Sequence, residues 1–153
     1  MSKDSKPIVV AIFAAFPVAC FESGGQGRGG AQAATWLPQL AKAWEAAEGV
    51  EIHWCILDRT ISKRVTVQHW NQTFHRVPDR GVTIGLLAAR WPQRLGYREV
   101  VREIQPDLIH CWGTETLHGA SLWEFDGPSI LSMQGVITTY YKTGDLKDWR
   151  WKF

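Results

Sequence analysis

The chain has 153 residues, 45% of them hydrophobic, and 17 basic against 15 acidic side chains leave a formal charge of +2. This length suits one domain around a single core, and so balanced a charge excludes nucleic acid as a main partner, since that calls for a strongly basic face. The polar start, Met1-Ser-Lys-Asp-Ser-Lys-Pro7, is unlike a signal peptide, and no apolar run is long enough to span a bilayer, so the expectation is a cytoplasmic protein.

Ile8 to Ala14 is an unbroken apolar run, β-branched at first, as in a strand buried on both faces. A loop from Ala15 to Gly30 follows, and residues 31–48 read as a helix with Leu37, Leu40, Ala41 and Trp44 on one face. Pro38 interrupts that pattern, which predicts a kink there or a helix that effectively starts beside it. Gly49 ends the helix, and Val50 to Leu57 makes a second strand. Residues 64–78 suggest two short strands, with a hairpin around Asn71-Gln72. A helical region over 83–105 is interrupted at Trp91-Pro92; its second half carries Tyr97, Val100, Val101 and Ile104 on one face. Asp107 to Trp112 is the next strand, then Gly113-Thr-Glu115, a short helix from Thr116 to about Trp123, and a strand from Pro128 to Met133 that ends at Gln134-Gly135.

Strands alternating with helices predict an α/β fold: a Rossmann-like, largely parallel sheet with helices on both faces. In such sheets ligands bind outside the carboxyl ends of the strands. Residues 23–30, 110–115 and 132–135, all polar or glycine-rich, fall at such ends.

The stretch Ser23-Gly-Gly-Gln-Gly-Arg-Gly-Gly30 admits several readings. Glycines let backbone N–H groups approach a phosphate, and the following helix turns its positive end toward the anion. No Gly-Lys-Ser or Gly-Lys-Thr follows, which removes the Walker reading. Counted from Gly25, the stretch fits the G-x-G-x-x-G of NAD(P)-binding proteins. There, however, the first glycine directly follows the strand, and here nine residues from Ala15 to Ser23 intervene. Asp58, a candidate ribose-binding acid, lies 28 positions beyond Gly30 against the usual count of roughly 20. A plain surface loop is a further alternative. The remaining reading is a long first loop that folds over a cleft and meets a phosphate from the side, with Arg28 as a fixed charge among the glycines.

Together these segments resemble the amino-terminal domain of GT-B glycosyltransferases of the retaining family 4. The resemblance rests on the glycine loop opening a long helix, on Gly49-Val-Glu-Ile-His-Trp54 as a "G-x-E-V-x-V" strand, and on Gln105-Pro-Asp-Leu-Ile-His-Cys-Trp-Gly-Thr-Glu115 as a "P-D-x-I-H-x-x-G-T-E" stretch. Pro128-Ser-Ile-Leu-Ser-Met-Gln-Gly135 matches the "P-x-x-x-S-x-Q-G" strand and loop. Many members carry histidines where this chain has Trp112 and Gln134.

The resemblance implies two Rossmann-like domains facing across a cleft, of which residues 1–153 are the acceptor-side one. The donor-binding carboxyl-terminal domain is absent, and a chain ending on Trp149-Arg-Trp-Lys-Phe153 looks cut short. It implies transfer of a sugar from a nucleotide-diphosphate donor to a hydroxyl of a sugar or lipid-linked acceptor with retention, in polysaccharide or glycoconjugate synthesis. No tightly bound cofactor and no metal are expected. Gly24, Gly25, Gly27, Arg28, Gly29 and Gly30 would close on the donor phosphates. His110 and Glu115 are the catalytic candidates, and Trp112, Thr114, Ser132 and Gln134 would line the acceptor cleft. This chain alone is expected to be inactive, with self-association through its uncovered cleft face and peripheral attachment to the inner membrane face as further expectations. The alternatives are a non-catalytic α/β interaction module or an NAD(P)-binding protein.

Each candidate also has a plainer reading. His110 ends a buried strand and could be structural, Glu115 could stabilise the helix that follows, and Thr114 could cap it. His110, Glu115 and His118 fit no standard zinc spacing. Arg90, Arg94, Arg98 and Arg102, interleaved with Glu99 and Glu103, read as an ion-paired solvated face. The nine tryptophans read mainly as core, with sugar stacking as the alternative. Cys20, Cys55 and Cys111, with no C-x-x-C among them, read as free thiols.

Overall fold

Strand β1 (Ile8–Phe13) lies at the centre of a six-stranded sheet. The computed structural model describes residues 6–18, 36–79, 91–113 and 117–133. On one side β1 pairs in parallel with β2 (Val50–Asp58), which pairs in parallel with β4 (Gln72–Pro78); β3 (Val65–His69) closes that edge, antiparallel to β4. On its other side β1 pairs in parallel with β5 (Leu108–Trp112), and β5 with β6 (Ser129–Ser132). The order is therefore β3-β4-β2-β1-β5-β6: the α/β, largely parallel architecture the sequence predicts.

Helix α1 (Trp36–Ala43), extended by a 3₁₀ turn at Trp44–Ala46, crosses one face, and α2 (Trp91–Ile104) packs on the other. Pro38 is the third residue of α1 and Pro92 the second of α2. A first-turn proline loses no helical hydrogen bond, because those N–H groups have no intrahelical acceptor. Residues 31–35 and 83–90 lie outside the described residues, while 116–123 is realised as a 3₁₀ segment, Leu117–Glu124.

The hairpin turns one residue earlier than its sequence suggests. Trp70 and Asn71 both take positive φ, 49° and 54°, which makes a two-residue turn of the type whose twist suits a hairpin. Asn71 tolerates that conformation; the bulky Trp70 hides it from sequence reading. At the end of α2, Gln105 is also left-handed, and its N–H bonds Val101 O at 2.9 Å. Asp107 then anchors the central strand twice: its carboxylate accepts from Val9 N, and its own N–H bonds Val9 O, each at 2.8 Å.

Strand periodicity divides the core. Even-numbered residues of β1, β2 and β5 face α1, where Ile12, Ile52, Trp54 and Ile56 pack with Leu37, Ala41 and Phe74. Odd-numbered residues face α2, where Phe13, Cys55 and Cys111 pack with Tyr97, Val100 and Val101. Both thiols are free and buried, and burial raises the pKa of each, which makes them inert. Most described tryptophans fill the α1 face, with Trp54 fully buried. Trp54 donates to Gln72 Oε1 and Gln72 Nε2 to Ala41 O, each at 2.6 Å, tying α1 to the sheet. Trp123 is the exception, 73% exposed with the Arg94 guanidinium 4.9 Å from its ring centroid.

Gly96 lets α2 approach β4 closely. A Cβ there would stand 2.4 Å from Val77 Cγ1. Gly96→Ala should therefore destabilise by about 1–3 kcal/mol through overpacking, despite the better helix propensity of alanine. Adding Val77→Ala should recover part of that loss; urea titrations of the single and double variants check both statements.

Candidate functional site

The connections on either side of β1 run in opposite directions. From β1 the chain moves to β2 and on to β4; α2 then returns it past β1 to β5 and β6. In doubly wound sheets such a reversal marks the place where ligands bind, which here falls outside the carboxyl ends of β1 and β5. The three segments singled out from the sequence leave from β1, β5 and β6, which are neighbours and mutually parallel. The carboxyl ends of those strands therefore share one rim, while residues 23–30, 114–115 and 134–135 themselves lie outside the described residues.

On that rim, His110 and Ser132 point to the α1 face from adjacent strands, and His110 Nε2 and Ser132 Oγ share a hydrogen bond of 2.9 Å. Burial holds the His110 pKa below its usual value, so the ring is neutral at pH 7. Trp112, two residues on, packs its ring 4.5 Å from that of His110 and 4.8 Å, edge to face, from Trp36 of α1. Its buried indole N–H has no hydrogen-bond partner among the described residues. Gly113 takes a φ of 88° and donates to Ser132 O at 2.8 Å, clamping the ends of β5 and β6 together. On β1's side, Phe16 packs edge-on against Trp54 and Phe74 beneath the rim.

Below His110 a groove of about 250 Å³ runs along the α1 face, floored by Val10, Ile12, Ile52 and Leu108 and walled by Trp44. Among the described residues His110 is its one titratable lining residue. Beside the groove α1 packs over the sheet from β4, through Gln72, to β5, through the Trp36–Trp112 contact, whereas the 3₁₀ segment Leu117–Glu124 lies on the α2 face.

Of the sequence-predicted residues, His110, Trp112 and Ser132 thus come together. Gly24, Gly25, Gly27, Arg28, Gly29, Gly30, Thr114, Glu115 and Gln134 lie outside the described residues. His110 and His118 do not meet. His118 faces α2, where its Nδ1 contacts Tyr97 Oη at 2.9 Å, so the sheet separates the two imidazoles. Among the described residues no group of three or more His, Cys, Asp or Glu side chains could hold a metal. Asp58 is occupied: it receives Arg76 Nε at 2.6 Å on one oxygen and Thr60 N and Oγ1, at 2.8 and 2.7 Å, on the other. No oxygen of that carboxylate is left open for a ribose.

No family model, no curated protein and no solved structure has significant similarity to this chain. Among the described residues no helix is long and apolar enough to cross a membrane.

Of the arginine stripe, Arg90 lies outside the described residues, and two members are ion-paired, with an acid other than their sequence neighbours. Arg94 and Arg98 both reach Glu124, at 2.9 and 3.5 Å, and Glu103 pairs with Arg64. Sequence reading also missed the groove wall supplied by Trp44 and the contact of Trp36 with Trp112. Helical spacing marked Trp44 as an apolar-face residue and gave no sign that it would border a groove.

Proposed function

We propose that this chain is the acceptor-side, amino-terminal part of a GT-B glycosyltransferase of the retaining family 4 type. Its reaction moves a sugar from a nucleotide diphosphate to an acceptor hydroxyl. One observation carries the reading: β1, β5 and β6, the strands that precede or begin the three resembling segments, lie side by side and parallel, so their carboxyl ends adjoin. The rim chemistry supports it. His110 is neutral at pH 7 and bonded to Ser132, which suits hydrogen bonding to a sugar hydroxyl better than a fixed charge. Trp112 beside it supplies an aromatic body with an unused donor. In this reading the residue 24–30 loop neutralises the donor diphosphate, and Glu115 and Gln134 complete the acceptor side.

Amide-resolved NMR titration of the purified chain tests it. Pyranosides (glucose, galactose, mannose, N-acetylglucosamine) should shift Trp112, Gly113, Ser132 and Met133. Shifts from NAD⁺ with none from any saccharide would move the case to the dinucleotide reading. Trp112→Phe sharpens the test, because it keeps an aromatic ring and deletes an unpartnered N–H. Its stability should stay within about 1 kcal/mol of the parent, while saccharide affinity falls about tenfold, the loss of one hydrogen bond.

One feature favours the interaction-module alternative. The β6 edge carries Ile130, Leu131 and Met133 at 46, 45 and 65% exposure. An apolar edge with no further strand beyond it among the described residues is a pairing surface. Light scattering together with the titration separates the two: an oligomer whose rim ignores every saccharide supports the module.

A further inference from the structure

Far from the rim, at the β3–β4 edge, four side chains form one hydrogen-bonded line on the α2 face. Glu51 Oε1 lies 2.9 Å from His53 Nε2, His53 Nδ1 lies 2.9 Å from His75 Nε2, and His75 Nδ1 lies 3.4 Å from Thr66 Oγ1. Both imidazoles are buried, His53 at 7% and His75 at 2% exposure. Their planes are 15° from parallel with centroids 5.2 Å apart. A 2.9 Å contact is shorter than the thickness of an aromatic ring, so the rings cannot be stacked face on face. They lie nearly in one plane and meet nitrogen to nitrogen, in hydrogen-bond geometry.

That geometry fixes the direction of the line. The Glu51 carboxylate only accepts, so His53 carries its proton on Nε2 and accepts on Nδ1. His75 Nε2–H must then donate to His53, which leaves His75 Nδ1 to accept from the Thr66 hydroxyl. Four residues on three strands share one consistent set of protons.

We propose that this line is an acid-sensitive latch that holds the edge strand β3 on the sheet. A proton added at His75 reverses the Thr66 bond and puts a cation inside the fold. A second, at His53 Nδ1, sets two N–H groups against each other and breaks the line. Every charged or titratable neighbour bears on this. From β2 come Glu51, His53 and the Cys55 thiol, which lies opposite His75 in the ladder. Arg64, just before β3, opposes a cation, and Glu103 of α2 favours one but is engaged by Arg64. Burial and the His53 ring add to Arg64's effect and hold the His75 pKa at about 4. Among the described strands β3 has β4 as its only sheet neighbour, so it can part from the sheet without disturbing β1 or β5.

Hydrogen exchange on the whole chain at pH 7, 6, 5 and 4.5 tests this, with rates corrected for intrinsic chemistry. The protection of β3 ladder amides should fall at least tenfold more than that of β1 and β5 between pH 7 and 5. In Glu51→Gln, which removes an anion that favours a cation on the line, the folded line takes up protons less readily, so the β3 loss between pH 7 and 5 should be larger than in the parent. In His53→Leu/His75→Leu, with both rings gone, the extra β3 response should vanish. Protection of β3 that tracks β1 and β5 at every pH would overturn the proposal. So would a β3 loss in Glu51→Gln no larger than the parent's, a readout available even if the double variant does not fold.

Discussion

Arg76→Met should cost about 3–5 kcal/mol of folding stability, the range for removing one partner of a buried ion pair. Arg76 is 8% exposed and Asp58 3%, and they meet at 2.6 Å. Burial alone would raise the Asp58 pKa. The two Thr60 hydrogen bonds, the Arg76 hydrogen bond and the guanidinium charge outweigh it and hold the carboxyl below its ordinary range. Without Arg76 that carboxylate remains buried with Thr60 as its chief partner. It must then take up a proton or draw in water, and either opens the β2–β4 end of the sheet. Domains of this kind are stable by only about 5–15 kcal/mol, so the variant should sit close to its unfolding threshold at 37 °C. Asp58→Leu added to Arg76→Met should regain most of the loss, because a buried pair exchanged for apolar groups of similar volume is often neutral. Urea titrations of the single and double variants check this. A single-variant loss under 1 kcal/mol would mean that the pair is solvated in solution.

The second large effect is acid lability well above the pH at which carboxylates titrate. His75 and His118 are both held at about 4. For His118 the cause is burial: Tyr97 occupies Nδ1, and Nε2 has no partner among the described residues. For His75 burial comes first, then the neighbouring His53. The unfolded chain binds protons at these histidines near the ordinary pH 6.5, and the folded chain does not until about 4. Their contribution is therefore complete above pH 6.5 and is lost progressively as the pH falls toward 4. Near pH 5 the two sites together should lower stability by about 2 kcal/mol per pH unit. Asp58, lowered in its own way, adds a further loss only below the usual carboxylate range. Thermal unfolding followed between pH 7.5 and 4 should show a falling midpoint from about pH 6.5 downward. His118→Phe should flatten that fall by about half; a pH-independent midpoint down to 4.5 would contradict the assignment.

Several features are legible in the chain alone. The unbroken apolar run at Ile8 could only be a strand covered on both sides. The spacing of Tyr97, Val100, Val101 and Ile104 fixes which face of α2 turns inward, as observed. The three strand ends that adjoin are foreshadowed too, because polar or glycine-rich segments follow or end those strands. Period, turn residues and prolines are properties of neighbouring residues, and they carry their meaning locally.

The rest depends on contacts between residues distant in sequence. His53 and His75 are 22 positions apart, and only the β2–β4 register sets one ring against the other. Asp58 looks like an open ribose acid in the sequence, but Arg76, 18 positions on, occupies it. His110 and His118 look like neighbours, yet the sheet divides them, since a strand and the crossover after it serve different layers. The sequence by itself determined which segments are strands and helices and which side of each is apolar. The tertiary structure decided which strands adjoin and which polar groups meet, because hydrogen-bond registry and crossover handedness are collective properties of the assembled sheet that no single stretch of the chain contains.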